Sequence, residues 1–219
     1  MTPFTRPDPA LVKDLSRFSA ATIHEAQGRR GALASSIKPV DHRMALCGPA
    51  FPVRCAPRDN LMLQVAISCA QPGDVIVVSA GEYPEAGSFG DVLANACLAK
   101  GIAGLVTDTG VRDTAELREL GFPVFSRSVS IKGTVKETVS PLAEPVLIGG
   151  ELVRPGDVVR GDADGVVVVR QEELAEVIDA SQAREAAEAA YIAAYHAGKS
   201  VIEVSGLAPV LAAKGLVLD

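Results

Sequence analysis

Two short stretches of the chain carry groups that could act together on a small anion: Gly90-Asp91 and Arg112-Asp113. Loop 81–90 (GEYPEAGSFG) holds Gly81, Gly87 and Gly90 and runs into a helix starting at Asp91. A glycine-rich strand-to-helix loop gathers free N–H groups and the positive end of the helix dipole at one point, which suits a carboxylate or a phosphate. Arg112 offers a permanent, planar positive charge for an oxygen that becomes negative. Asp113, with Asp91 acting through water, could hold a hard divalent cation, which takes few protein oxygens and keeps several waters. A 2-oxo acid presents the matching groups, a carboxylate beside a keto oxygen. The same spacing also suits a bland arrangement, in which Arg112 and Asp113 pair at the surface and cap the helix at 114–120.

These groups meet only if the elements around them are right. VIVVSA (75–80) and IAGLVTDTG (102–110) are continuous apolar runs, as in strands buried on both faces. DVLANACLAKG (91–101) reads as the helix between them, stopped by Gly101. Thr114–Leu120 is a short helix and FPVFSR (122–127) a third strand. In such a β-α-β unit the loop after the first strand and the residues after the second share one sheet edge, where α/β folds bind ligands.

The flanking segments are less regular. Residues 10–20 and 21–28 read as two helices. Pro49 and Pro52 predict that 45–55 is irregular or an edge strand. Asn60 is placed to cap a helix over LMLQVAISCA. Beyond residue 128, Pro145–Ile148, Glu151–Val153, Asp157–Val159 and Gly165–Val169 read as short strands, with Asp162 and Asp164 as turn formers. Residues 171–197 form a long Ala- and Glu-rich helix, followed by a short one at about 207–214. One domain over 1–219 is expected, the region from about 171 packing on it or on a neighbouring subunit.

Composition limits the alternatives. The 219 residues are 48% hydrophobic and 22% charged, enough to bury a sizeable core. A net charge of −6 with no basic run argues against a nucleic-acid partner. No apolar run is long enough to cross a membrane. The polar, proline-rich start does not read as a signal sequence, so a cytoplasmic location is expected. Cys47, Cys55, Cys69 and Cys97 sit in apolar stretches without metal-site spacing and are expected as buried thiols. His24, Glu25 and Gln27 form a possible pocket cluster, whereas His42 and His196 are expected at the surface. Lys132 and Lys136 could neutralise an acidic substrate.

Several segments recur in an order that identifies a family: HEAQGRRGAL (24–33), GDVLANACLAKGIAGLVTDTGVRD (90–113), FPVFSR (122–127), KGTVKET (132–138), PGDVVRGDADGVVVV (155–169) and REAAE (184–188). Together they resemble the class II, metal-dependent 4-hydroxy-4-methyl-2-oxoglutarate / 4-carboxy-4-hydroxy-2-oxoadipate aldolases, the family that includes the regulator of ribonuclease activity A. HEAQGR and GTVKET look more like the 4-carboxy-4-hydroxy-2-oxoadipate branch. A Trp and a His that this branch often carries near 58–64 are absent here.

The resemblance implies an α/β fold: an α-β-β-α sandwich with a swivelling-domain-like (phosphohistidine-domain-like) core, assembled as a homotrimer or homohexamer. It implies Mg or Mn held by Asp113, with Asp91 ordering a catalytic water and Arg112 against the pyruvyl oxygens. Gly90 and the amides of Val92 and Leu93 would bind the substrate carboxylate. Glu188 of a neighbouring subunit would reach the metal's water shell. The implied reaction is retro-aldol cleavage of a 4-hydroxy-2-oxo acid to pyruvate, with oxaloacetate decarboxylation as a side activity. The rival reading is a non-catalytic regulator of a ribonuclease.

Overall fold

The structure, a computed structural model, describes residues 2–216. Its helices are α1 (Pro9–Leu15), α2 (Ala20–Ala26), α3 (Leu61–Cys69), α4 (Asp91–Ala99), α5 (Thr114–Leu120), α6 (Leu174–His196), α7 (Val201–Val204) and α8 (Ala208–Ala213). The strands are β1 (Lys38–Pro39), β2 (Leu46–Arg54), β3 (Val75–Ser79), β4 (Gly104–Val111), β5 (Val124–Val129), β6 (Val146–Ile148), β7 (Glu151–Val153), β8 (Val158–Asp162) and β9 (Gly165–Val169).

Seven strands form one sheet in the order β1-β5-β4-β3-β2-β8-β9, and β6 pairs with β7 beside it. β2 to β5 are parallel, and β8 and β9 continue from β2 antiparallel. The sheet curls until its edges approach: the Lys38 ammonium on β1 donates to the Asp164 carbonyl in the β8–β9 turn. The result is a nearly closed, barrel-like sheet with helices on both outer faces.

The strand residues alternate between two cores. Val75 and Val77 of β3 face Val159, Val166 and Val168 inside the curl, while Ile76 and Val78 face outward. Outside the parallel half, Leu63 and Ile67 of α3, Ala94 and Cys97 of α4 and Leu117 of α5 close the core. Outside the antiparallel half, Val167 and Val169 pack on Leu15, Ile23, Leu174 and Val177. Helix, sheet, sheet, helix is the layering of an α-β-β-α sandwich. It also explains the unbroken apolar runs, because each strand buries both its faces.

Three expectations need correction. The 45–55 segment is an interior strand, not an edge. Its first half, Leu46–Pro49, pairs with β8, and its second half, Ala50–Arg54, pairs with β3. The Pro52 carbonyl accepts from Ala143 N, so the side of the strand that lacks an N–H faces away from β3. The first helix stops at Leu15 rather than running to residue 20, which frees Phe18 to enter the core. Of the four cysteines, Cys55 and Cys97 are buried and burial pushes each thiol up to about 12, but Cys69 is exposed and Cys47 only half-buried. Among the described residues no helix is long and apolar enough to cross a membrane.

Candidate functional site

The loop between β3 and α4 is held over the end of β4 from below. The buried Asp108 carboxylate accepts from Ala80 N (2.6 Å), Glu82 N (3.1 Å) and Ser79 Oγ (3.3 Å). Burial pushes this carboxyl above its usual range, and these hydrogen bonds only partly offset the cost. Thr109 Oγ1 donates to the Tyr83 carbonyl (2.7 Å) and Ser128 Oγ to that of Pro84 (2.6 Å). On top, Ser88 N donates to Gly110 O and Arg112 N to Phe89 O, both at 2.9 Å. Residues 87–89 thus run as a short extra strand against 110–112, and this brings Arg112 and Asp113 to the start of α4.

Asp113 occupies the N-cap position of α5 but does not cap it. Its backbone is left-handed (φ 56°, ψ 43°), and no helical N–H binds its side chain. The carboxylate turns back instead: Oδ2 lies 3.3 Å from Asp91 N and 3.4 Å from Arg112 Nε. A left-handed non-glycine residue costs about 1 kcal/mol or more, a strain found where side-chain direction matters. This geometry disfavours the bland capping arrangement. Arg112 and Asp113 are paired, but over the site rather than away from it.

The glycines make room for this pair. A β-carbon on Gly87 would lie 3.2 Å from Arg112 Cβ and Cδ, and 2.3 Å from Ser130 O. One on Gly90 would lie 2.1 Å from Asp113 Oδ2 and 3.2 Å from Arg112 Cγ. Beside them, Asp91 N donates to Asp113 Oδ2, while the amides of Val92 and Leu93 have no intrahelical acceptor and form the positive end of the α4 dipole.

Gly90, Asp91, Val92, Leu93, Arg112 and Asp113 line one cavity of about 370 Å³. The same cavity is lined by Asn60, just before α3, by Gln64 of α3, and by Gly133, Thr134 and Lys136 of the loop after β5. Asn60 is therefore misread as a simple cap. Its Nδ2 donates to Ser88 O (2.9 Å), and its Oδ1 accepts from Gln64 Nε2 (3.1 Å). Asp59 does the capping, accepting Leu61 N at 2.8 Å.

Asp59 has a second task, which no local pattern announces. Its other oxygen accepts Glu137 N (2.9 Å) and Thr138 N (2.7 Å), which fastens the 133–138 loop to the start of α3. Burial raises this carboxyl's pKa, but the bonds from Leu61, Glu137 and Thr138 outweigh burial and leave it below the usual range.

The remaining candidates lie elsewhere. Glu188 sits on α6 outside the cavity, paired with Arg184 at 2.9 Å. His24 Nδ1 contacts the Arg30 carbonyl (2.9 Å), and Glu25 pairs with Arg29 (3.1 Å) and Arg184 (3.7 Å). His42 and His196 are exposed. Asp162 accepts from Ala20 N and Asp164 N, as a turn former should.

A divalent cation fits the donors at this site. Asp91 and Asp113 are hard oxygen donors lining one cavity, and the bare Cα of Gly90 lets Asp113 Oδ2 reach the start of α4. No cluster of three or more His, Cys, Asp or Glu occurs among the described residues. Two carboxylates alone would leave any hard cation held here with most of its ligands as water.

The fold and this loop geometry define a class, and comparison with known proteins names it. The family described as "RraA-like: Aldolase/RraA" matches residues 19–168. A Halalkalibacterium halodurans protein named "Putative 4-hydroxy-4-methyl-2-oxoglutarate aldolase" is 36% identical over 154 residues, covering 70% of this chain and 73% of that one. A crystal structure of an uncharacterized Pseudomonas syringae pv. tomato protein superposes with a TM-score of 0.81 at 26% identity, over 92% of this chain and 100% of that one. Streptomyces coelicolor RraAS2, described as an unusual member of the RNase ES inhibitor RraA family, gives 0.74 at 34% identity, over 84% and 96%. The chain belongs to the Aldolase/RraA family.

Proposed function

We propose that the protein is a divalent-metal-dependent lyase that cleaves a 4-hydroxy-2-oxo acid, such as 4-hydroxy-4-methyl-2-oxoglutarate or 4-carboxy-4-hydroxy-2-oxoadipate, to pyruvate and a second 2-oxo acid. The observation that carries this reading is the turn of Asp113 away from its own helix and onto the start of α4, beside Arg112. This reversal leaves α5 without a side-chain cap. It places a carboxylate beside a guanidinium and a helix N-terminus, the grouping that a cation-chelating anion would use.

The α4 amides would hold the pyruvyl carboxylate. Mg²⁺ or Mn²⁺, held by Asp113 and through water by Asp91, would supply Lewis acidity at the keto oxygen. Arg112 donates to the same oxygen as it gains charge. Asp91 orients a water that removes the proton from the C4 hydroxyl. The C3–C4 bond then breaks, its electron pair forms the pyruvate enolate, and C4 becomes the new carbonyl. Protonation of the enolate at C3 completes pyruvate. Oxaloacetate decarboxylation yields the same enolate with carbon dioxide as the leaving fragment, so it is an expected second activity. In the assembled homotrimer or homohexamer, Glu188 of a neighbouring copy would join the water shell.

The second reading, a ribonuclease regulator, draws on the likeness to RraAS2. The two separate cleanly. Purified protein with Mg²⁺ either releases pyruvate from a 4-hydroxy-2-oxo acid, as proposed, or leaves the acid intact while reducing ribonuclease activity in a reconstituted digest.

A further inference from the structure

A second cavity, of about 310 Å³, shares no lining residue with the first. It lies where the chain leaves α2, between the start of β7 and the end of β9. Its size is that of a small-molecule site, with room for about ten water-sized groups.

The turn after α2 is folded tightly against it. Gly28, Arg29 and Gly31 have φ of 75°, 62° and 74°, and Val168 N donates to Gly31 O at 2.8 Å. A β-carbon on Gly31 would lie 2.2 Å from Val168 O and 2.6 Å from Gln27 Nε2. Gln27 is only 6% exposed, and its Nε2 uses both protons, on Arg30 O (2.6 Å) and Val168 O (3.1 Å). Among the described residues its Oε1 accepts no hydrogen bond, so this acceptor takes its donor from what fills the cavity.

Opposite charges line the same cavity without pairing. Glu151 forms no ion pair and no side-chain hydrogen bond among the described residues. Arg170 Nη1 donates to Leu152 O (2.7 Å) and to the buried Asp157 carboxylate, which fixes the guanidinium, while its Nε and Nη2 have no acceptor among the described residues. Arg30 Nε donates to Gln27 O (2.9 Å), but its outer nitrogens reach Glu173 only at 3.3 and 3.5 Å. Arg29, Arg30 and Arg170 outnumber Glu151 and Glu173, which leaves the lining one positive charge in excess. A simple anion would meet the carboxylate of Glu151, and a simple cation would meet the guanidiniums. A molecule that carries both an anionic acceptor and a cationic donor answers the two together.

We propose that this second cavity binds a free α-amino acid. Arg30 and the unused edge of Arg170 take its carboxylate, and Glu151 with Gln27 Oε1 takes its ammonium. The excess positive charge favours an acidic side chain. This site does not depend on the lyase reading above.

The test is calorimetric titration of the Mg²⁺-loaded protein with L-glutamate, with glutarate, which lacks the ammonium, and with 4-aminobutyrate, which lacks the α-carboxylate. Wild type binds L-glutamate at least tenfold more tightly than either analogue. Glu151→Gln loses about tenfold in affinity for L-glutamate, the scale of one charged hydrogen bond, and keeps its affinity for glutarate. Arg30→Gln, which breaks only an exposed pair, loses a similar amount for L-glutamate. No binding of L-glutamate by wild type overturns the proposal, as does equal affinity for L-glutamate and glutarate. So does L-glutamate binding that survives Glu151→Gln but is lost in Asp113→Asn, which would place the ligand in the first cavity.

Discussion

Asp113 Oδ2 fills the space that a side chain at residue 90 would need: a β-carbon built on Gly90 comes within 2.1 Å of it. Gly90 has an extended backbone (φ −150°), so its lack of a side chain serves this contact and not a special turn. Gly90→Ala should therefore fold normally while pushing the Asp113 carboxylate aside. Displacements of about 1 Å at a reacting site can cost about a hundredfold in rate. A loss of tenfold or more in pyruvate release, with a melting temperature near wild type, is the expected result.

The left-handed backbone at Asp113 separates two effects that a single substitution would mix. Asn adopts this conformation at lower cost than Ala. Asp113→Ala should lose about 1 kcal/mol of stability through backbone strain as well as its carboxylate. Asp113→Asn should keep stability and lose Mg²⁺ affinity. Urea melts alongside Mn²⁺ titrations followed by electron paramagnetic resonance measure the two quantities independently.

Arg112 is half exposed, with its Nε 3.4 Å from Asp113, so it contributes little to folding. Its replacement should act on the reaction. Arg112→Ala should lower kcat by about a hundredfold or more, the usual cost of removing a donor to a developing oxyanion. Arg112→Lys should recover only part, because a point charge cannot reproduce the planar fork. Steady-state pyruvate formation checks both.

Asp59 gives a dependence on pH with a defined sign. Its carboxyl is held below its ordinary value in the fold, so its contribution is complete at neutral pH. That contribution is lost as pH falls below about 4, through the ordinary carboxylate range and on toward the depressed native value. Asp59→Asn should cost about 1–3 kcal/mol at pH 7, because a buried amide cannot accept all the same bonds. Its gap from wild type should narrow in urea melts at pH 3. Faster amide exchange at Glu137 and Thr138 should accompany the loss.

The central elements were legible because one physical condition marks them: strands buried on both faces read as VIVVS and GLVTDTGV. The Gly90-Asp91 and Arg112-Asp113 pairing followed from β-α-β connectivity alone, since both leave the same sheet edge. Pro49 and Pro52 misled because β2 changes partner halfway, a fact set by distant strands. Asn60 looked like a cap by position, yet its side chain answers to Ser88, 28 residues on. Asp59 and Asp108 were invisible as organisers, because their partners across the fold carry no local signature. Glu188 does not line the cavity; it lies on α6, paired with Arg184.

The account stands most directly on the link between Asp113, the cation and carbon–carbon cleavage. Pyruvate release from 4-hydroxy-4-methyl-2-oxoglutarate should be measured by lactate dehydrogenase coupling, for wild type and Asp113→Asn, before and after EDTA and on return of excess Mg²⁺. Wild type should lose activity with EDTA and regain it with Mg²⁺, while Asp113→Asn stays at least a hundredfold lower throughout, in line with the loss of a transition-state contact. Cleavage that survives EDTA, or an Asp113→Asn protein as active as wild type, would contradict it.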